Sequence, residues 1–403
     1  MPLPLLGAAL LVAALSADQA TPAPAAVPLT LQSAFSLAEE HNRVLVAARL
    51  GRAVDVAGIA VAAQRPNPEA SFEAARDTPH EVASLAFPLE FGGKRARRVD
   101  LANATLARTM AELTVQSIDV RRTVRLAYYE LVAAAKRVQV TTELRGFAER
   151  TRTAARDRFE SGAAPRLEAL QADLALAQAD NEQEAARGRL AAARASLNTA
   201  LGRAPDVPAD PADPFEAGAV PADPAGIIAA SPEVAALDRE IDEAVARERL
   251  AVAMRRADPT LSGGVLFDAR PDFTFGWRAG VAVAIPVFTR HNAEVQVETA
   301  RVVQLRAQRQ ARVATLTGDA IAAAARAEAA RRQYLRYRDE IVPQLATIEA
   351  MAEDSYRSGQ TNLAAFLQAL QAAREVRLRA TDAGLEYQTA LADLERALGG
   401  PIQ

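Results

Sequence analysis

The chain says the same thing twice. FESGAAPRLEALQA, beginning at Phe159, returns as YRSGQTNLAAFLQA beginning at Tyr356, and NTALG ending at Gly202 returns as ERALG ending at Gly399. Both pairs are separated by about two hundred residues, and the strand-like SLAFPLEFGGKR around Pro88 reappears as AVAIPVFTRHNA around Pro286 at almost that offset. Solenoids and propellers repeat at about 20–50 residues, so two units this long are a duplicated domain. The expected division is a first repeat over 29–202, a Pro/Asp-rich linker over 203–231 and a second repeat over 232–399.

Each copy is built mainly of helix. From Lys94 to Arg158 there is no proline, and Leu106, Met110, Leu113, Ser117, Val120, Val124, Ala127, Leu131, Ala134 and Val138 keep a 4-3 spacing, which is a heptad seam. The second copy repeats it through Val313, Leu316, Ala320, Ala323, Ala327, Ala330, Tyr334, Tyr337 and Ile341, with Ile348 extending it. A helix of roughly 65 residues is about 100 Å long, whereas a compact chain of this length has a radius of gyration near 21 Å. The molecule is therefore expected to be a rod. Each long helix stops at an aromatic residue followed by Ser-Gly, where glycine accepts positive φ: Phe159, Ser161 and Gly162 in one copy, Tyr356, Ser358 and Gly359 in the other. Return helices are expected over Leu167 to Leu201 and Leu363 to Leu398, so each copy holds a helical hairpin tipped by its Ser-Gly turn.

Upstream of each long helix a strand pair is expected. Phe273, Phe275, Trp277, Ala279, Val281, Val283 and Ile285 alternate with small or polar residues, a period of two with one apolar face. The partner strand is Thr260 to Asp268, and Arg270-Pro271-Asp272 forms the tip. In the first copy Glu69 to Ala75 and Glu81 to Glu90 flank Asp77-Thr78-Pro79 with weaker alternation. A shorter helix precedes each pair, Val44 to Ala63 and Val234 to Met254.

Half of the residues are apolar but only 5% are aromatic, and much of the apolar share is alanine, which suits long, closely packed helices. Net charge is -3 with both signs interspersed, which argues against a nucleic-acid partner. The absence of cysteine excludes disulfides, thiolate metal sites and a lipidated cysteine. Residues 1–17 have the short apolar run and small residues of a secretory signal, although no Lys or Arg precedes the run.

Strands with a greasy face in an exported chain that has no membrane helix point to an outer-membrane barrel. Four strands cannot close one. Two chains would supply eight strands and a barrel filled by side chains, whereas three supply twelve and a lumen, so a homotrimer is the smallest assembly that makes a pore.

Short helix, strand hairpin, very long helix, Ser-Gly turn and return helix, all duplicated, resemble the TolC-type outer-membrane efflux channel family from Leu29 to Gly399. The opening LTLQSAFSLAEEHN, the run PLEFGGKRARR, the two tip turns and the closing Ala-Leu-Gly of each copy carry the resemblance. PLEFGGKRARR and PVFTRHNAE are similar to the branch that exports cobalt, zinc, cadmium and related cations. The resemblance implies a mainly α protein with a long helical coiled-coil tunnel through the periplasm and a trimeric 12-stranded barrel in outer-membrane lipid. It also implies two partners, an inner-membrane proton-driven pump and a periplasmic adaptor that grips the helical hairpins. General drug or organic-compound efflux and type I secretion are the alternatives within the family.

Individual residues qualify this reading. Gly92 and Gly93, with Pro88, Lys94, Arg95 and Pro286, are expected at strand-to-helix turns, since no Walker pattern surrounds the glycines. His41, His80 and His291 are scattered without ligand spacing, so no metal site and no cofactor is expected. In the family, carboxylates at positions corresponding to Ala365 and Gln368 often ring the closed tunnel mouth; this chain lacks them. Glu168 and Gln171, just past the first turn, are then the source of any acidic aperture, or Glu168 is simply a solvated helix residue. No nucleophile–base or paired-carboxylate arrangement stands out, so an enzyme is not expected. The competing class, a periplasmic coiled-coil structural or adaptor protein, would carry one hairpin rather than two, each with its strands.

Overall fold

The computed structural model describes residues 28–402 apart from 78, 217, 222 and 269–274. The expected signal over 1–17, Thr78 and the Arg270-Pro271-Asp272 tip lie outside the described residues. In chain order the elements are β1 (Pro28–Leu29), α1 (Leu31–His41), α2 (Arg43–Ala62), β2 (Glu69–Ala74), β3 (Glu81–Pro88), α3 (Lys94–Glu160) and α4 (Arg166–Ala200). They continue with β4 (Asp210–Pro211), α5 (Pro224–Ile228), α6 (Pro232–Met254), β5 (Pro259–Phe267), β6 (Phe275–Val283), α7 (Asn292–Arg336), a π turn (Tyr337–Ile341), α8 (Val342–Arg357) and α9 (Leu363–Leu398). The order α2, β2, β3, α3, α4 recurs as α6, β5, β6, α7 with α8, and α9.

Local chemistry sets the boundaries. Thr30 and Ser33 form a capping box at the start of α1, and the Asn42 carboxamide accepts from Val44 N and Leu45 N to start α2. Asn42 also donates to Ala200 O at 2.7 Å, which ties the end of the first repeat to its beginning. Ser231 caps α6 with Pro232 just inside, and Asn362 caps α9 by accepting from Ala365 N at 2.9 Å.

With 67 residues, α3 is about 100 Å long. It packs on α4, α6 and α9, while α7 packs on α6 and α9, so α3 and α9 form the middle of a helical wall with α4 and α8 at its edges. Because α3 serves several neighbours, its buried stripe is wider than a two-helix seam. Val120, Val124, Leu131 and Ala134 are buried as the heptad spacing predicts, but so are Tyr128 and Tyr129, while Met110 is exposed. Arginine–carboxylate pairs lace α3 to α9, including Arg122–Asp393 and Arg125–Glu395, both at 2.6 Å.

The second seam needs a correction. It holds from Leu316 to Tyr334 and then steps by one residue, burying Leu345, Glu349 and Tyr356 while Ile348 stands 48% exposed. Pro343 is the cause. It has no N–H to continue the helical ladder, and its ring clashes with the carbonyl four residues back. The chain absorbs this in the π turn Tyr337–Ile341, whose wider winding takes up one extra residue.

The linker is more than a connector. Its Phe215 ring lies 5.8 Å from Tyr129 and 6.1 Å from Tyr334, and Tyr334 stacks on Tyr387 at 6.2 Å. Gly384 leaves room for that ring, since a Cβ there would lie 2.7 Å from it. Carbonyls of the linker accept from Tyr334 OH (Phe215 O), Gln388 Nε2 (Glu216 O) and Tyr387 OH (Gly218 O). Linker residue Asp210 and β1 residue Pro28 are partners in a short parallel β1–β4 pair, and Tyr128 OH donates to Leu29 O at 2.9 Å. The main core therefore sits at the waist, between the repeats.

The four longer strands form one antiparallel sheet ordered β2-β3-β5-β6, with β3 and β5 joining the repeats. Register puts Phe72 opposite Ala83, Leu85 opposite Gly263, Phe87 opposite Leu261, Leu261 opposite Val281 and Val265 opposite Trp277. These residues share one exposed apolar face; Ser71, Ser84, Ser262 and Arg278 occupy the other. The outer edges of β2 and β6 have no partner among the described residues.

Candidate functional site

At the end of the rod far from the sheet, two turns with nearly identical geometry close the hairpins. Gly162 and Gly359 both have φ of 75°. Gly162 N donates to Phe159 O and Ala163 N to Arg158 O; in the second copy Gly359 N donates to Tyr356 O and Gln360 N to Ser355 O. This pattern satisfies the last helical carbonyls with a left-handed glycine. The Ser161 and Ser358 hydroxyls also bond back, to Arg158 O at 3.1 Å and Asp354 O at 2.9 Å. A Cβ on either glycine would meet nothing within 4 Å, so both turns face open space.

The aromatic residues ahead of the turns differ. Phe159 is 42% exposed, whereas Tyr356 is 2% exposed, stacks on Phe366 at 5.2 Å and donates its hydroxyl to Glu168 at 2.8 Å. The Arg158 guanidinium lies over the Tyr356 ring at 5.3 Å, 3.7 Å from the same carboxylate. Burial, with the bond to Glu168, raises the Tyr356 phenol's pKa, so it remains a donor. Glu168 thus links the two hairpins through its own chain. Gln171, Ala365 and Gln368 are exposed on the return helices. Beside the link, a cleft of about 340 Å³ between the hairpins is lined by Phe147, Arg150, Asp157, Glu353 and Phe366 among others.

Sequence reasoning singled out Glu168 and Tyr356 separately and missed their bond. The signal was present. At matching positions the first copy has Phe159 and Glu168 and the second has Tyr356 and Ala365, so each copy holds one half of a donor–acceptor pair. Farther up, Glu349 is buried against Arg377 at 2.7 Å; burial raises its pKa and Arg377 opposes this.

At the other end of α3 the chain passes from Pro88, the last residue of β3, to Lys94 and Arg95 in the first turn of α3. Gly92 and Gly93 have φ of 80° and 74°, and Gly93 precedes the first residue of α3. Lys94 is buried against Asp258 at 2.6 Å, and Asp258 also accepts from Phe91 N. Arg95 donates to Ala63 O at 2.5 Å, which joins α3 to the end of α2. In the second copy, beyond Pro286, His291 takes the left-handed cap position at φ 52° and contacts Glu294 at 3.2 Å. Among the described residues no three His, Asp or Glu side chains converge to hold a metal, and no helix is long and apolar enough to cross a membrane.

Known proteins share this architecture. The profile of the outer membrane efflux protein family matches residues 34–203 and 234–400. The cobalt-zinc-cadmium resistance protein CzcC of Cupriavidus metallidurans is 27% identical over 389 residues, 94% of this chain and 92% of that protein. The crystal structure of CusC superposes with a TM-score of 0.76 at 18% identity, covering 93% of each chain. The open state of the Neisseria gonorrhoeae MtrE outer membrane channel gives 0.74 at 19%, covering 92% of this chain and 89% of that one.

Proposed function

The chain belongs to the outer membrane efflux protein family, and we propose that three copies close a twelve-stranded barrel through which divalent heavy-metal cations leave the periplasm. It is an outer-membrane efflux channel that extends into the periplasm, and not an enzyme. The observation that carries the trimer is the unfinished sheet. Four strands present one apolar face and, among the described residues, leave both outer edges without a partner, which is untenable in lipid until other copies supply the missing strands. The edge helices support the same reading: Leu167, Leu170 and Leu174 on α4 and Ile348 and Met351 on α8 are exposed where a neighbouring wall would cover them.

The metal substrate rests on the likeness to CzcC and on the PLEFGGKRARR and PVFTRHNAE turns. A hydrated cation passing a wide tunnel needs no tight site, since tight binding would slow its release. At the tip, the periplasmic adaptor docks on the Phe159–Gly162 and Tyr356–Gly359 turns and the cleft between them, and an inner-membrane proton-driven pump completes the assembly. The aperture lies at Glu168, Gln171, Ala365 and Gln368. There the Tyr356–Glu168–Arg158 contact holds the hairpins together, in place of a ring of free acids.

Deleting the gene tests the substrate. Sensitivity to zinc, cobalt or cadmium should rise more than sensitivity to dyes, detergents or antibiotics, and the reverse profile would reassign the channel to organic compounds. Mass measurement in mild detergent tests the assembly, where a stable monomer would refute the barrel.

A further inference from the structure

The apolar face of the sheet does not stop with the strands. On the helix side it runs on through Leu89 and Phe91 in the first repeat and through Ile285, Val287 and Phe288 in the second, and Phe288 is 99% exposed. Arginine follows in both repeats, Arg95 after Phe91 and Arg290 after Phe288, and both are exposed. The end of α6 adds Arg255 and Arg256. The Arg256 side chain lies against Gly92, whose positive φ and missing Cβ make room for it, and Arg255 donates to Asn292 at the start of α7. These contacts gather the end of α6 and the starts of α3 and α7 into one collar below the sheet.

The collar carries uncompensated positive charge. Three of its acids are already taken, Asp258 by Lys94, Glu90 by Arg98 and Asp100 by Arg97, and the cations outnumber those that remain. Among the described residues Arg95, Arg255, Arg256 and Arg290 have no carboxylate partner, and neither has Arg65 just past α2, while Glu69 at the start of β2 and Glu294 in the first turn of α7, which contacts His291, are the acids nearby without a Lys or Arg partner. An aromatic band followed by cations is what a bilayer interface selects, with rings at headgroup depth and long cationic side chains reaching the phosphates. A cation path would be poorly served by the same charges facing its lumen.

We propose that this collar binds the phosphates of anionic phospholipids in the periplasmic leaflet of the outer membrane, and so fixes the depth at which the barrel sits. The proposal rests on the barrel reading above. The occupant is a lipid headgroup rather than free phosphate because the cations stand at the rim of a continuous apolar face, where acyl chains lie beside them.

The test uses the full-length channel in mixed phosphatidylcholine–phosphatidylglycerol vesicles. Phosphatidylglycerol retained after extraction is counted by native mass spectrometry for wild type and for Arg95→Gln/Arg256→Gln/Arg290→Gln. Trp277, the chain's one tryptophan, lies exposed on the apolar face of β6 and reports insertion separately through quenching by brominated phosphatidylcholine. With each interfacial cation contributing about fivefold to partition on anionic lipid, the triple variant should insert normally and lose about tenfold or more of its retained phosphatidylglycerol. Wild-type retention should also fall as salt rises. Equal retention by both proteins, or wild-type retention indifferent to salt, would overturn the collar while leaving the barrel intact. Absence of Trp277 quenching in wild type would overturn both.

Discussion

The two repeats end alike and differ in the middle. The first sends a single unbroken helix of 67 residues to the tip, whereas the second reaches it through α7, a π turn and α8. Even so, both tip glycines have φ of 75°, and the glycines closing the repeats at the waist, Gly202 and Gly399, have 75° and 84°. Length and termination are thus constrained in both copies, while the route between the ends is free to vary so long as a seam faces the partner helix. The second copy used that freedom to accept Pro343, at the cost of a one-residue step in its seam.

The waist should be where the repeats are least tolerant and most equal. A Cβ on Gly202 would lie 2.1 Å from His41 O, and one on Gly399 would lie 2.5 Å from Pro232 Cδ, so overpacking adds to the left-handed penalty. Gly202→Val and Gly399→Val should each destabilise by about 4–5 kcal/mol and abolish the folded channel. Normal thermal stability of one variant but not the other would break the symmetry. Phe215→Ala, at the joint between the repeats, should cost about 3–5 kcal/mol in thermal unfolding of the purified channel. A smaller loss would mean that the linker is held by its hydrogen bonds alone.

The sheet offers the next comparison. Leu85→Arg in the first repeat and Val281→Arg in the second place a charge on the same apolar face and should each impair insertion by about 2–4 kcal/mol, read from outer-membrane fractions. At the tip, Gly162→Val and Gly359→Val meet no steric obstacle and should cost only about 1–2 kcal/mol each through φ. Both should leave the trimer in the membrane but lower adaptor crosslinking and efflux. Unchanged crosslinking in the double variant would remove the tip as a docking surface.

The smallest effect belongs to Glu349, whose counterpart by offset is Arg152. A folded-state pKa raised by burial means that folding favours the protonated acid, so its contribution is present at low pH and fades as pH rises above the ordinary value of 4.5. Glu349→Gln should flatten that acid-side part of the stability profile by less than about 1 kcal/mol. A profile that superposes on wild type would mean that Arg377 alone decides the protonation of this pair.

What the sequence made legible follows from range. The duplication, the hairpin tips and the strand alternation are written in local spacing, because helix stops and pleats depend on residues within a few positions of one another. The bond from Tyr356 to Glu168 spans 188 positions, and no periodicity announces it. Pro343 was in plain sight, yet whether a proline ends a helix or leaves a π turn depends on the neighbour beneath it, and here α9 keeps the helix going. Phe215 was masked by a Pro/Asp-rich setting that looks like a tether. Such a ring is held by the tyrosines of other elements, which a linear reading does not bring together.

One small feature sets a ruler on the molecule. The β1–β4 pair and Tyr128 OH hold Pro28 and Leu29 at the waist, and Tyr128 falls near the midpoint of α3, about 50 Å from either end at 1.5 Å per residue. A fluorophore or epitope placed at Pro28 would therefore ride at half-height, distant from both the pore mouth and the lipid. Distances measured from it to the tip would follow the lower half of the wall alone, undisturbed by tilting of the barrel in the bilayer.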